Sequence, residues 1–508
     1  MKKILLYITI LSMGVGCKKA LDVEPKQSID ANTALTSRDG INAAIVSVYS
    51  KLKSARQYGR DNIAFPEALG DNGYATNKSG RLLPEANNVF RAHFGDNPWQ
   101  NAYFGINEIN LILEAIPALD ITPAVSTSER NGWEGAMLFL RALYHFDVVK
   151  AYSYMPGAVV AAQDKGGVPI MLKGVKTAGD AILTLPARAP LADVYNQIVA
   201  DLEQANSKLP NSLGNVIFAN KFAAQAMLSR VNLYRKDYAQ AKRWADSCIS
   251  NVGLRIATTG TYVSQWRVAT HVETLFQVGY TVNGENIGVN ESLQTSFTTL
   301  TAPGNTTVTG GFGDLVPSLS MLNDLGITLQ GGNNRDTFLT RNAIVASRTA
   351  DVRNQLYEPG TTGRGKSYVE CTKFLGKNGF INLDNVPIIR VAEVYLNRAE
   401  AMATPGSPVF NESAALSDLN RVASNRGLPD FALTGLPLYN EIIKQRRIEL
   451  AFEGHRFWDL KRLGRDILKG PLYNDVPLQM FGFLLRFPKG KSTAIKISFK
   501  TLDTRTKN

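Results

Sequence analysis

Cysteine and histidine are scarce in this sequence, with three and four residues in a chain of 508. A chain of this length can bury a large core and needs no disulfide scaffold. Cys248 and Cys371 could form one disulfide or remain two separate buried thiols, and the sequence leaves both possibilities open. No metal-ligand spacing and no phosphate-loop motif occurs, so we expect neither a metal nor a cofactor. The histidines are scattered: His93, His145, His271 and His455.

Long apolar runs are also missing. After the N-terminal segment, no stretch has 18 consecutive apolar residues, which argues against a membrane-spanning helix there. The chain begins with two lysines and an apolar stretch of about ten residues, and reaches Cys17 through three small residues. This pattern predicts a lipoprotein signal peptide over 1–16, an acylated (palmitate-bearing) Cys17 and a tether over 17–36. The alternative is an ordinary signal peptide followed by a chance Cys.

Acidic residues are fewer than basic ones, 44 against 56, which gives a formal net charge of +12. Half of this excess lies in the atypical basic tail, residues 486–508, whose one acid is Asp503. A short basic run is usually solvated. Basic residues interleaved with aromatic residues do not occur elsewhere, and export also argues against nucleic-acid binding. We therefore expect no nucleic-acid partner.

Helical periodicity covers the chain on both sides of its middle segment. Apolar residues recur at three- and four-residue steps, starting after Ser37, which is a plausible N-cap. We also expect helices from Pro387 onward and over Tyr439–Leu463. Alanines recur where two consecutive helices should touch, which is typical of tetratricopeptide-like stacking. These alanines are Ala223, Ala224, Ala226, Ala239, Ala241 and Ala245.

The middle segment, about 255–385, is rich in Gly, Thr and Asn and has no helical period. It contains short strand-like runs such as Thr274 to Val278. Loops of this length are usually functional or disordered, and we favour a functional role. The sequence therefore predicts one domain over 37–485 with a mostly α fold. Tetratricopeptide-like helical hairpins form the scaffold, and a loop-rich face with minor β structure forms the working surface.

Two stretches are the most specific parts of the sequence. They are KQRRIELAFEGHRFWDLKRLG from Lys444 and PIIRVAEVYLNRAEAMA from Pro387. With these and the start CKKALDVEPKQSI, the chain resembles the SusD/RagB family of nutrient-binding outer-membrane lipoproteins of the Bacteroidetes, from Cys17 to about Gly464. The resemblance implies a mostly α fold with four tetratricopeptide-like hairpins, a lipid-anchored position on the outer membrane facing the cell surface, and no catalytic role.

The resemblance also implies partners. Members of the family act as a lid on a SusC-like TonB-dependent outer-membrane barrel, capture oligosaccharides or sometimes peptides, and pass them in. The protein would contact the outer-membrane lipid through acylated Cys17. The chain departs from the family at its end, where a basic run follows Arg486 instead of an Asn-Pro-Gly-Tyr-like tail. Our hypothesis is a tail altered by a frameshift, which the intact mass of the native protein tests.

A sugar site needs a flat apolar surface with convergent polar groups, so loop aromatics and their polar neighbours are the candidates. Each candidate has a plain structural alternative, which is a surface turn for the polar cluster after Gly70 and a core position for the tryptophan that opens a helix. One phenylalanine lies in a Gly-rich frame that could present its ring. The candidate ligand contacts are Asp71, Asn72, Tyr74, Trp99, Trp266, Tyr280 and Phe312.

Glu449 and Glu453 lie one helical turn apart and could mimic the carboxylate pair of a retaining glycosidase. Three nearby arginines, Arg446, Arg447 and Arg456, favour the ionised form of both, so a structural charge network fits better. The same interpretation applies to Glu393 and Glu400, which alternate with Arg390 and Arg398, and to His455 as a structural residue. Three functions stay open: glycan-binding lipoprotein, protein–protein adaptor on helical hairpins, and glycan hydrolase.

Overall fold

The computed structural model describes residues 35–89, 94, 97–119, 125–176, 179–180, 186–281, 284–285, 287–328, 348–377, 379–470 and 473–478. The predicted signal peptide, the lipid-attachment residue Cys17 and the basic tail 486–508 lie outside the described residues. Within the described part of the chain, no helix is both long and apolar enough to cross a membrane.

Helices dominate the structure, and their bounds match most of the predicted periodic segments. Ser37 caps the first helix, since its side chain accepts a hydrogen bond from the Gly40 amide. The helices, numbered in chain order, are α1 Arg38–Lys51, α2 Asp61–Leu69, α3 Leu83–Ala86, α4 Asn97–Ala115, α5 Thr127–Tyr152, α6 Leu191–Lys208, α7 Lys221–Tyr234, α8 Tyr238–Val252, α9 Tyr262–Gln265, α10 Leu293–Phe297, α11 Leu319–Asp324, α12 Val391–Ala403, α13 Glu412–Ser424, α14 Gly435–Glu449 and α15 Arg456–Leu463. Short 3-10 turns lie at Ile116–Ala118, Ala161–Gln163 and Val352–Leu356.

The long helices stack in pairs. α1 packs on α4, α5 on α6, α7 on α8 and α12 on α13, and each pair also contacts the next one through α4–α5, α6–α7 and α8–α12. This succession of four hairpins confirms the mostly α, tetratricopeptide-like fold. Five of the six alanines expected at close contacts are buried, and Ala239 is half-buried. Small side chains there let the backbones of α7 and α8 approach each other.

Strands are short and form three antiparallel pairs in the described residues. β1 Gly73–Ala75 pairs with β3 Leu315–Pro317, β2 Thr274–Val278 with β6 Val386–Arg390, and β4 Tyr357–Pro359 with β5 Val369–Cys371. Each pair has at least one strand between residues 255 and 385, the segment predicted to be loop-rich. The strand-like run at Thr274 to Val278 is confirmed as β2.

Two predicted helix boundaries are wrong. Residues 387–390, expected to begin a helix, belong to β6 instead, because this strand pairs with β2 and the helix begins only at Val391. The helix expected over Tyr439–Leu463 is broken between α14 and α15 by left-handed backbone at Phe452 (φ 62°) and Gly454 (φ 83°). A Cβ at Gly454 would lie 2.5 Å from the Asn62 carbonyl oxygen, so only glycine fits this contact with α2.

Candidate functional site

The β1–β3 ladder joins two loop regions about 240 residues apart in the chain. Tyr74 lies opposite Val316 in the register, and the Thr76 amide continues the ladder by donating to the Asp314 carbonyl at 2.9 Å. The Thr76 hydroxyl donates to the Gly313 carbonyl at 2.8 Å. These bonds place the Asp71–Arg81 segment beside Phe312–Ser320. We call the surface that these two segments form, with Arg364, Tyr368 and Tyr473, the loop face.

Three tyrosines from distant parts of the chain meet on the loop face. The Tyr74 ring centroid lies 6.2 Å from that of Tyr368 and 5.8 Å from that of Tyr473. Beside them is a cleft of about 30 Å³, which we call the tyrosine cleft and which has room for about two water-sized groups. Hydroxyl, carboxylate, ammonium and aromatic groups converge on it. Its lining is Asp71, Gly73, Tyr74, Ser318, Leu319, Ser320, Leu468, Lys469, Gly470 and Tyr473.

Two of the predicted ligand contacts, Asp71, which lines this cleft, and Asn72, are hydrogen-bonded to arginines of the protein itself. Asp71 accepts from Arg456 Nη2 at 2.8 Å, and the Asn72 amide oxygen accepts from Arg447 Nε at 2.8 Å. Burial alone would raise the pKa of Asp71, but the guanidinium groups of Arg447 and Arg456 outweigh it and lower that pKa to about 2. Asp71 therefore stays ionised and fixes two arginines at the rear of the cleft.

Lys469 closes another side of the tyrosine cleft. Its ammonium group donates to the carbonyl oxygens of Ala68 and Ala86, both at 2.7 Å, so it binds the C-terminal ends of α2 and α3 together. Burial lowers the pKa of Lys469 to about 7, with Asp71 opposing the shift. A cation that caps two helix ends is held rigidly. The part of the cleft wall that Lys469 forms is therefore fixed.

Phe312 lies at the other end of the loop face and is half-buried. Two guanidinium groups lie against its ring: the Cζ atom of Arg364 is 3.7 Å from the ring centroid and that of Arg81 is 4.5 Å away. Arg81 is held by Asp314, whose Oδ2 accepts from its Nε at 3.0 Å. Arg364 is exposed, and its Nε donates to the Gly311 carbonyl at 3.1 Å. A ligand here meets guanidinium groups as well as the ring.

Trp99, Trp266 and Tyr280, which were also predicted to contact a ligand, lie in the core. The Trp99 ring centroid is 4.7 Å from that of Tyr103, and Trp266 is fully buried beside His271. The Tyr280 hydroxyl donates to the Lys53 carbonyl at 2.8 Å. Their role in ligand binding stays a prediction that this burial does not favour, because a ring below the surface cannot stack on a sugar without rearrangement.

Four residues of the loop face were missed by the sequence analysis: Arg81, Arg364, Tyr368 and Tyr473. One signal could have found two of them. Arg364 and Tyr368 lie in a second Gly-rich turn, GTTGRGKSY, that resembles the frame around Phe312. Tyr473 had no such signal, because only the fold brings it next to Tyr74.

Glu449 and Glu453 are fully paired inside the protein. Both oxygens of Glu449 accept from Arg426 at 2.9 Å, and both oxygens of Glu453 accept from Arg390 at 2.7 Å. Burial would raise the pKa of Glu449, but Arg426, Arg390 and Arg353 outweigh it and hold that pKa well below its usual range. This agrees with a structural charge network and not with a general acid, which needs a raised pKa.

The partners in this network differ from the expected ones. Arg446 pairs with Asp459, Arg447 with Asp324, and Arg456 with Asp71. The arginines on Glu449 come from other parts of the chain, so helical spacing could not reveal them. We define the buried charge network as four carboxylates and four cations: Glu273, Asp351, Glu449 and Glu453 with Arg353, Lys373, Arg390 and Arg426.

The remaining polar residues singled out in the sequence have structural partners. Glu393 pairs with Arg230, and Glu400 pairs with Arg462 instead of a neighbour on its own helix. The backbone amide of His455 donates to Glu67, and burial holds the pKa of its imidazole well below the usual range. The open question about the two buried cysteines is settled, since both are free thiols.

Comparisons with known proteins place this chain in a family. Residues 19–233 match a SusD-like family model described as starch-binding and associating with the outer membrane, and residues 327–494 match the model of the SusD family. The chain belongs to the SusD/RagB family. The two SusD/RagB models together span most of the chain, and the second one includes the later part of the strand-rich middle segment.

Individual SusD/RagB proteins agree with this assignment. SusD-like protein P2 of Formosa agariphila is 25% identical over 486 residues, with 90% of each chain covered. A putative sugar-binding protein from Bacteroides vulgatus has the same fold, with a TM-score of 0.72, 24% identity, and 90% of this chain and 96% of the other covered. A laminarin-binding SusD-like protein has a TM-score of 0.62 at 21% identity, with 85% and 92% covered.

Proposed function

We propose that this SusD/RagB protein captures oligosaccharides at the cell surface and delivers them to a SusC-like TonB-dependent outer-membrane transporter. The observation that carries the proposal is the tyrosine cleft, where aromatic rings and polar groups from distant loops converge. Sugars combine apolar ring faces with hydroxyl groups, so their binding needs this mixture. The laminarin-binding and sugar-binding relatives support a glycan over a peptide.

The ligand contacts that we propose are Tyr473, Ser318 and Ser320 in the tyrosine cleft, with Phe312 further along the loop face. Tyr74 is buried like Trp99 and Tyr280, and it packs against the Tyr473 ring instead of contacting the ligand directly. Tyr473 is half-buried and lines the cleft, so its ring can pack against a sugar ring whose hydroxyl groups enter the cleft. Asp71 and Asn72 act by holding Arg447 and Arg456 in place.

Anchoring through acylated Cys17 would keep the loop face at the cell surface. We propose that 17–36 serves as the tether and that 37–485 is one domain that acts as the lid on the barrel. Acylation predicts that metabolically supplied palmitate labels the protein and that Cys17→Ala abolishes the label. Copurification with a TonB-dependent barrel from outer membranes tests the partnership, and recovery without any barrel would contradict it.

We further propose that the protein binds its ligand without breaking a bond. A glycosidase needs one carboxyl group that is protonated near neutral pH. Glu449 and Glu453, the pair at helical spacing that suggested this chemistry, are buried in ion pairs. Their geometry supports a role in holding α14 and β6 together.

The test is calorimetric titration of the full-length protein in mild detergent with neutral and charged oligosaccharides. We expect one class to bind without product formation, and Tyr473→Ala to weaken that binding. Tyr238→Ala is the matched control, because Tyr238 is also half-buried but lies on α8 in the helical scaffold. Absence of binding to every oligosaccharide, or equal loss in both variants, would contradict the proposal.

A further inference from the structure

The Phe312 end of the loop face holds more positive than negative charge. Lys78, Arg81 and Arg364 lie around Asp314 and Glu370, which are both fully buried. Asp314 is engaged by the protein, whereas Glu370 Oε1 accepts no hydrogen bond from the described residues. Asp314 accepts from the Ser79 hydroxyl at 2.5 Å and from Arg81, and Glu370 Oε2 accepts from the Thr299 amide at 2.6 Å and from two threonine hydroxyl groups.

One donor atom on each of two cations, Lys78 Nζ and Arg81 Nη2, has no hydrogen-bond acceptor among the described residues. The Lys78 side chain is only 6% exposed, and its ammonium group lies 3.7 Å from Glu370 Oε1 without donating a hydrogen bond to any described residue. Arg81 Nη2 is likewise buried without an acceptor among the described residues. Lys78 Nζ has an ion-pair partner in Glu370 Oε1, so the donor that points to an acceptor from outside the chain is Arg81 Nη2, on a side chain that is 25% exposed. Burial also lowers the pKa of Lys78, a shift that a bound anion would reverse.

The third cation, Arg364, is the most exposed of the three. Its guanidinium group lies 3.7 Å from the Phe312 ring centroid, and its Nε is used by the Gly311 carbonyl. Stacking on a ring and one backbone bond fix the plane of the group. A guanidinium group fixed in this way can offer its terminal N–H donors to a carboxylate or sulfate in the bidentate geometry that both anions accept.

We propose that the loop face selects an anionic oligosaccharide, one that carries carboxylate or sulfate groups, and that Arg364 and Arg81 form its anion subsite, with the positive charge of Lys78 nearby. The inference rests on the proposed function, since it names the class of glycan that the same face binds. The neutral part of the sugar lies along the tyrosine cleft, and the acidic group lies against the guanidinium groups on Phe312.

The experiment compares pairs of probes that differ only in charge. Full-length protein in non-ionic detergent is titrated with tetragalacturonate and its methyl ester, and with a sulfated carrageenan tetrasaccharide and its desulfated form. We expect one acidic probe to bind at least about tenfold more tightly than its neutral form, with an affinity that falls as salt is added. The two pairs separate carboxylate from sulfate recognition.

Arg364→Gln should remove about tenfold of the affinity for the acidic probe and leave the neutral form unchanged. Arg364→Lys keeps the positive charge but loses the planar guanidinium group, so its affinity for the acidic probe should lie between those of the wild type and Arg364→Gln. The matched control is Arg243→Gln, an exposed arginine that lies 4.7 Å from the Trp244 ring on α8. This control removes an equally stacked arginine charge from the helical scaffold, so the affinities for the acidic and the neutral probe should both stay unchanged.

Equal binding of the acidic and neutral forms, or equal weakening of both by Arg364→Gln, would overturn the anion subsite while glycan binding stands. Binding of none of the four probes would count against the proposed function and the anion subsite together. A preference for an acidic probe that survives Arg364→Gln would overturn the assignment of the subsite to the Phe312 end of the loop face.

Discussion

The buried charge network and the loop face use the same kinds of side chains in different ways. In the network, four carboxylates meet four cations, and the side chains are nearly inaccessible to solvent. On the loop face, three cations surround two carboxylates, and two donors lack acceptors among the described residues. Matched buried charge specifies how helices and strands pack, whereas unmatched charge near the surface is available for a ligand.

The largest expected effect comes from breaking the matched network. Glu449→Gln leaves Arg390 and Arg426 buried with less negative charge and should lower the free energy of unfolding by about 3–5 kcal/mol. Urea denaturation measures the change. Glu203→Gln, which removes an exposed carboxylate from α6, is the control and should have little effect. Equal stability of Glu449→Gln and the wild type would show that the network does not hold the fold together.

A smaller effect is expected at Asp71, a loop-face residue that pairs with Arg447 and Arg456. Its folded pKa of about 2 lies below the ordinary value of 3.8. Its ion pairs therefore contribute stability above about pH 4 that is lost as pH falls toward 2. Asp71→Asn should lower the free energy of unfolding by about 2 kcal/mol at pH 7 and by almost nothing at pH 2.

Unfolding measured between pH 2 and pH 7 tests the Asp71 prediction. Asp193→Asn on the exposed surface of α6 serves as the control, since no arginine pairs with Asp193 among the described salt bridges. A difference between wild type and Asp71→Asn that is the same at every pH would contradict the role of the Asp71 charge.

On the loop face itself, we expect changes in binding and not in folding. Tyr473→Ala should reduce oligosaccharide affinity by about threefold to tenfold, since it removes one aromatic contact. The calorimetric titrations measure it alongside Tyr238→Ala. A loss of folding in Tyr473→Ala, seen as a lower urea midpoint with unchanged affinity in the folded fraction, would move Tyr473 from the ligand site to the scaffold.

The smallest effect should come from an exposed ion pair. Lys242 and Asp246 lie one helical turn apart on α8 with 2.7 Å between Nζ and Oδ2, and both side chains are about one third exposed or more. Lys242→Gln should change the free energy of unfolding by less than about 0.5 kcal/mol. A loss of unfolding free energy as large as that of Glu449→Gln would show that burial does not determine how much an ion pair contributes to stability.

Much of the fold follows from local sequence signals. The helical periodicity, the Ser37 cap and the small residues between α7 and α8 depend on neighbours in the chain, and all are confirmed. The β6 strand and the break before α15 depend on distant partners, β2 and α2, so local periodicity favoured helix at both. The charge network shows the same limit, since Arg353, Arg390 and Arg426 reach Glu449 from three separate segments.

The loop face was only partly predictable for the same reason. Tyr74 and Phe312 stand out in the sequence because they lie in turn-rich segments, and the structure places both on one face. Tyr368 and Tyr473 become their neighbours only through the β1–β3 ladder and the packing of the last segment. Trp99, Trp266 and Tyr280 also lie beside loops, but their rings are buried in the core. The sequence alone does not show which rings are exposed to solvent.

The most direct test of the central claim is a crystal structure of the protein with its tightest-binding oligosaccharide. The account predicts an intact sugar chain in contact with Tyr473, with its acidic group against Arg364. A cleaved glycosidic bond, or a sugar bound on the helical hairpins away from the loop face, would contradict it.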